Sequence, residues 1–157
     1  MPRRSYKKTS PKPDSVYHSQ EVIKLINFIM VDGKKSIAKR TVYNVLERLT
    51  KEGKDGLNTL KDAIHNVAPN FEVKPRRLGG ASYLVPTEVR QDRKLFLSLN
   101  WIIDCAKTRS NKEFKSFENK LFTEIKEAAQ NQGAAIAKKQ QTEKLAEANK
   151  AFAHLKW

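Results

Sequence analysis

Arg76-Arg77-Leu78-Gly79-Gly80-Ala81-Ser82-Tyr83, in the middle of residues 71–94, reads as the tip of a β-hairpin set into a sequence that is otherwise helical. Two adjacent glycines take positive φ without steric cost, so Gly79-Gly80 suits the two-residue turn whose twist matches paired strands. Val73, Leu78, Tyr83, Val85 and Val89 supply the β-branched and aromatic residues expected on either side. Pro75 and Pro86 lack a ladder donor and belong on outward-facing strand edges, which predicts a ribbon over about 71–90 that projects from the body. Lys74, Arg76, Arg77, Arg90, Arg93 and Lys94 then decorate an arm suited to phosphates.

The rest of the chain carries spacings of three and four. From about Gln20, Val22, Ile26, Ile29 and Met30 form one apolar face, with Gly33 as a left-handed helix stop. Ile37, Thr41, Val42, Val45, Leu46 and Leu49 form a second, closed by Gly53, and Leu57, Leu60, Ile64 and Val67 a third, ended by Pro69. After the ribbon, Phe96, Leu99, Ile102, Ile103 and Ala106 make a fourth face. A fifth helix is expected from Ser110-Asn111 through Phe114, Phe117, Leu121 and Ile125 to Gly133, and a sixth from Ala134 along Leu145, Ala148, Phe152 and Leu155. The expectation is a mainly α fold, a compact bundle of about six helices with one protruding basic β-hairpin and an extended basic N-terminal tail, all in one domain over residues 1–157.

Thirty-one Lys and Arg against seventeen acids give a formal charge of +14, which puts a polyanion first among partners. The tail at 1–13 contributes Arg3, Arg4, Lys7, Lys8 and Lys12 with no acid and three prolines, too few apolar groups to offset chain entropy. No apolar run approaches the ~18 residues of a membrane-spanning helix. Without an apolar N-terminal stretch, and with Cys105 the one cysteine, the cytoplasm is the expected compartment. His18, His65 and His154 lack metal-ligand spacing, so neither a metal nor another cofactor is expected. Catalysis has no footing in the sequence: there is no HExxH, GxSxG or dinucleotide fingerprint. Asp32-Gly33-Lys34-Lys35-Ser36 is not a P-loop either, because Phe28 and Lys35 stand where that motif needs Gly and Ser or Thr.

Three motifs, in order, resemble one family. They are Met30-Val31-Asp32-Gly33-Lys34-Lys35-Ser36; Arg76-Arg77-Leu78-Gly79-Gly80 with Tyr83, Val85-Pro86 and Glu88-Val89-Arg90; and Glu147-Ala148-Asn149-Lys150-Ala151-Phe152-Ala153-His154. Together they are similar to the seventh protein of the small ribosomal subunit in its bacterial form, over nearly the whole chain. The resemblance implies a six-helix fold with a protruding β-ribbon, bound to the 3′ major domain of small-subunit rRNA. It further implies nucleation of the subunit head, a ribbon beside the exit-site tRNA and outgoing mRNA, and small-subunit proteins nine and eleven as neighbours. Two positions depart from the family pattern: Gln91 replaces a proline after the second strand, which loosens that junction, and Leu155 replaces an aromatic residue, leaving Trp157 as the nearer stacking candidate.

Each basic feature also has a plainer reading. Charge protects exposed strand edges, so Arg76 and Arg77 could serve only that end, but paired arginines beside a glycine tip and a basic tail form one coherent nucleic-acid footprint. Lys34 and Lys35 flank the first interhelix turn, available to phosphate. Tyr83 suits base stacking or cross-strand packing equally. Lys138, Lys139, Lys144 and Lys150 could be the wet side of the last helix, relieved by Glu143 and Glu147, while the resemblance raises Lys150 and His154 as surface contacts. Phe152 is expected in packing. An architectural DNA-binding protein is the competing class, yet such arms present an apolar wedge and this tip offers Gly79-Gly80.

Overall fold

The computed structural model describes residues 11–53 and 55–155. Its elements, in chain order, are α1 (Gln20–Ile29), α2 (Lys35–Lys51), α3 (Gly56–Val67), β1 (Phe71–Leu78), β2 (Ala81–Glu88), α4 (Gln91–Thr108), α5 (Asn111–Phe114), α6 (Phe117–Ala129), α7 (Ala134–Ala148) and a closing 3₁₀ turn (Lys150–Leu155). The fold is mostly helical with one antiparallel hairpin, as the periodicities require. Side chains with a strong cap preference start four of the helices. Ser19 accepts the Val22 N–H at α1, Asp55 the Leu57 N–H at α3, Ser110 the Lys112 N–H at α5 and Ser116 the Asn119 N–H at α6.

The core lies around α6, which packs against α2, α3 and α4. Leu121, Ile125 and Ala128 of α6 meet a layer that includes Val42, Val45, Leu46 and Leu49 of α2, Leu60, Ala63 and Val67 of α3, and Leu99, Ile102 and Ala106 of α4, all buried. Each buried Leu or Ile contributes about 1.5–3 kcal/mol, so the residues that set the periodicity also hold the bundle. Cys105 joins this layer as a buried small hydrophobe, and burial pushes its thiol pKa up.

A buried ionic knot closes the end of the bundle. Glu124 on α6 is 0% exposed and accepts hydrogen bonds from Arg109 Nε at 2.7 Å and from the Ala135 N–H at 3.0 Å. Arg109, the C-cap of α4, also pairs with Glu127. Gly133, with φ +94°, enters α7 here, and a Cβ on it would meet the Glu127 side chain at 2.9 Å. Beside it Lys120 Nζ donates to the Arg109 carbonyl at 2.5 Å and to Asn111 Oδ1 at 2.6 Å. The end of α4 and the start of α7 are thereby tied to α6 through one carboxylate.

Several expectations need correction. The fifth helix is broken at Lys115, which takes φ +49°, because Ser116 caps a new helix more strongly than the chain continues the old one. Gly33 is not a helix stop: α1 ends with Met30 as its C-cap, and Asp32 and Gly33, at φ +53° and +71°, form a tight turn closed by Lys34 N–H to the Val31 carbonyl at 3.0 Å. Ile37 is 58% exposed, and Ala38 takes its place inside. Helix α4 begins at Gln91, and Phe96 on its exposed side meets Phe28 edge-on at 5.4 Å instead of filling the core. In α7 the buried residues are Ala135, Ile136 and Ala146, whereas Leu145 is 46% exposed. The expected seam fails beyond Ala148 because Asn149 donates its side-chain amide to the Leu145 carbonyl and the chain tightens into the 3₁₀ turn.

The two strands pair from Phe71↔Glu88 to Leu78↔Ala81, so Gly79 and Gly80 alone make the tip, at φ +55° and +89°. Both positive values match the expected turn. Pro75 is exposed as expected, but Pro86 is buried, since α7 and the 3₁₀ turn pack against β2. Helix α7 also backs β1. The ribbon is thus supported by residues 134–155.

Before α1, Asp14 accepts hydrogen bonds from the N–H groups of Val16 and Tyr17 and from the Tyr43 hydroxyl at 2.7–3.2 Å. Burial alone would raise its pKa, but these hydrogen bonds and Lys39 outweigh it and hold the carboxyl below its usual range.

Replacing Arg109 with Met leaves Glu124 buried without its cation and is expected to destabilise by about 3–5 kcal/mol in urea unfolding. Adding Glu124→Leu should restore part of the loss, and a single-variant loss below 1 kcal/mol would exclude the knot as a stabilising element. Asp14→Asn should cost about 1.5–3 kcal/mol at neutral pH by weakening charge-assisted hydrogen bonds. The native carboxyl titrates below the unfolded one, so its contribution is complete above the unfolded value of 3.8 and is lost as pH falls through the native one. The gap between variant and parent in thermal melts should therefore narrow below about pH 4.

Candidate nucleic-acid interface

Strand alternation sorts the ribbon charges onto two faces. Glu72, Lys74 and Arg76 share one face of β1, and Arg77 points to the other. On the first face, Glu72, Lys74, Arg76, Thr87 and Arg90 line an open cleft of about 790 Å³ with Glu88, Val89 and Arg93. The short link from β2 into α4 brings Arg90 and Arg93 there, because α4 starts with Arg90 as its N-cap.

Glu72 organises this cleft. Its Oε1 lies 2.9 Å from Lys74 Nζ, and its Oε2 accepts from Arg93 Nε at 3.2 Å. Burial pulls its pKa upward, but the hydrogen bonds from Lys74 and Arg93 prevail and keep the carboxyl ionised. The Arg93 guanidinium also stands 5.1 Å from the Phe96 ring centre, a cation–π contact that fixes its plane.

Other candidates separate into exposed and internally engaged groups. Lys34 and Lys35 are exposed around the start of α2, whose N-terminus has neither a side-chain cap nor an acid in its first turn. Arg77, Arg90, Lys138, Lys150 and His154 are exposed, as are Gly79 and Gly80 at the tip. Lys94 donates to Asn70 Oδ1 at 2.8 Å, and Lys139 donates to the Asn66 carbonyl at 2.8 Å, just before the end of α3. Tyr83 packs its ring on Phe152 at 5.3 Å, so the aromatic partner comes from the 3₁₀ turn and not from across the strands. Arg3, Arg4, Lys7, Lys8 and Trp157 lie outside the described residues.

A second open groove, of about 800 Å³, runs between α1, α3, α4 and α7. Lys24, Lys61, Lys94 and Lys139 line it together with Glu21, Asp62 and Asp92. Lys24 and Lys61 were not candidates from sequence, because single lysines on wet helix faces give no signal until the helices are packed. The Glu72 bridge was equally hidden: its spacing to Lys74 suggests a shared strand face, but the reach to Arg93 depends on the turn into α4. Among the described residues no cluster of His, Cys, Asp or Glu could hold a metal ion, and no helix is long and apolar enough to cross a membrane.

Comparison with known proteins gives this surface a context. Residues 1–150 match the family described as ribosomal protein S7p/S5e. The chain is 48% identical to the small ribosomal subunit protein uS7 of Caldicellulosiruptor bescii, 46% to that of Thermoanaerobacter pseudethanolicus and 47% to that of Fervidobacterium nodosum, in each case over the full length of both chains. By both the family match and the identity over its whole length, the chain belongs to the ribosomal protein S7p/S5e family, whose members are structural and not enzymatic.

Proposed function

We propose that this chain is a structural constituent of the small ribosomal subunit that binds the 3′ major domain of its rRNA and nucleates assembly of the subunit head. The reading rests on one observation, the two-faced arginine ribbon with a side-chain-free tip, in a chain similar throughout to small-subunit proteins. Its mechanism is positional. Guanidinium forks bind phosphate oxygens in pairs, and a rigid bundle carrying them on ribbon and helix faces holds separate rRNA helices in mutual orientation. Lys34 and Lys35 add a second contact: cations beside an uncapped helix N-terminus oppose the helix dipole, a local cost that a bound phosphate reverses. The basic tail at 1–13 supplies Arg3, Arg4, Lys7, Lys8 and Lys12 to neutralise further phosphates.

In this reading the protein works in cytoplasmic ribosomes, as a single domain, beside small-subunit proteins nine and eleven. The ribbon tip lies near the exit-site tRNA and the path of outgoing mRNA. Chemical footprinting of the 3′ major domain with and without the protein tests the assignment. Protection confined to other rRNA domains, or absent, would overturn it.

The two ribbon faces can be tested apart. Arg76→Ala and Arg77→Ala, with helical circular dichroism as the folding control, should each lower the dependence of log affinity on log salt by about 1. A change in only one variant would show that the RNA meets one face of β1. Replacing residues 78–81 with a two-glycine turn keeps the Arg77↔Ser82 pairing and should spare most rRNA affinity, since the cleft at the strand bases remains. Ribosomes with this short ribbon should instead lose exit-site tRNA retention or reading-frame accuracy, scored with a frameshift reporter; failed head assembly would refute this division.

A further inference from the structure

We propose that Glu72 is a positioning and specificity residue of the ribbon cleft, holding Lys74 and Arg93 in fixed places so that they favour a shaped RNA surface over any polyanion. The inference rests on the RNA-binding reading of that cleft. Four cations, Lys74, Arg76, Arg90 and Arg93, line it with two carboxylates, Glu72 and Glu88. A surface selected only for affinity would omit those acids, because each repels the approaching phosphates. Glu88 is exposed on the opposite strand, whereas the Glu72 side chain is only 12% exposed and bridges two cations whose own side chains are about half exposed.

The bridge has a specific geometry. Arg93 gives Glu72 its Nε and, among the described residues, neither terminal nitrogen has a hydrogen-bond partner. With Nε held and the Phe96 ring alongside, the guanidinium fork is fixed in plane and direction before any ligand arrives. Lys74, otherwise a flexible ammonium, is held by the other carboxylate oxygen. Preorganisation of this kind lowers the ordering cost for a phosphate that arrives at the fitted position, while the added negative charge weakens unfitted, purely Coulombic binding.

Glu72→Gln removes the charge while keeping the shape. In the full-length protein, binding to the 3′ major domain RNA and to an unrelated duplex RNA of equal length should be measured over a salt series, with helical circular dichroism as the folding control. The variant should bind the unrelated duplex more tightly, with a salt slope steeper by about 1, as freed cations displace counterions. The ratio of specific to unrelated affinity should fall on the order of fivefold, the size of one partly screened charge interaction. Glu88→Gln removes the same charge from the same cleft without freeing a held cation and should keep the parental ratio. Arg93→Lys should lower the ratio with the charge intact, and Glu72→Gln added to it should lower it by less than the sum of the two single losses, since the Arg93 contact is shared while Glu72 also holds Lys74.

An unchanged ratio in Glu72→Gln, the same fall in Glu88→Gln, or fully additive losses in the double variant would overturn the proposal. Arg77→Ala and Arg90→Ala separate this from failure of the underlying reading. If both bind the 3′ major domain RNA like the parent with an unaltered salt slope, the ribbon is not the RNA surface and both readings fall. If they bind more weakly while the Glu72→Gln ratio holds, the role of Glu72 alone is excluded.

Discussion

The carboxylate of Glu124 is the constraint on which the working surface depends. It is fully buried, so its charge is tolerable only while Arg109 and the Ala135 N–H both face it. That requirement fixes the angle at which α7 leaves the turn at Gly133. Helix α7 in turn lies against β1 and β2, so an ionic contact inside the bundle sets the direction of a ribbon built from residues far away in sequence. Apolar packing around α6 supplies most of the cohesion, but packing of alanines along α7 is shallow and directs little by itself. The knot supplies the direction that such a face lacks.

Charge on the ribbon follows a similar logic of restraint. An excess of cations is easy to encode and attracts any nucleic acid. Geometry discriminates only when the cations cannot rearrange to meet whatever arrives. Here β pairing fixes the faces, the Phe96 ring and Glu72 hold Arg93, and the Tyr83–Phe152 contact joins β2 to the C-terminal turn. Two devices common in proteins, an acid among bases and an aromatic pair, thus convert net charge into shaped charge.

Much of this was legible beforehand, and the exceptions have physical causes. The hairpin, its two-glycine tip and the faces of α2 and α3 follow from local rules of φ freedom and helical period, which act within a few residues. Misreadings arose where local signals compete. Lys115 carries no sign of a helix break, because the break comes from the capping strength of Ser116 next to it. Gly33 signals a left-handed conformation in either a helix stop or a tight turn, and Asp32 at positive φ decides for the turn. Leu145 fits an apolar stripe, yet it is half exposed while Ala146 beside it is the buried residue. The candidate interface was readable as composition more than as geometry: which arginines share a face follows from strand alternation, while the Glu72 bridge and the two grooves arise only when distant segments meet.

The contact between Tyr83 and Phe152 also bears on the order in which the molecule is completed. A ribosome makes the chain from the N-terminus, so both strands are finished while the segment that will cover β2 is still unmade. During that interval the hairpin is a two-stranded unit with two open edges, a form only marginally stable in water and prone to pair with other strands. The arginines and lysines on it then act as guards that keep nascent hairpins apart by repulsion. Only when Lys150–Leu155 has emerged can the 3₁₀ turn close on β2, so the ribbon's support arrives well after its strands are made.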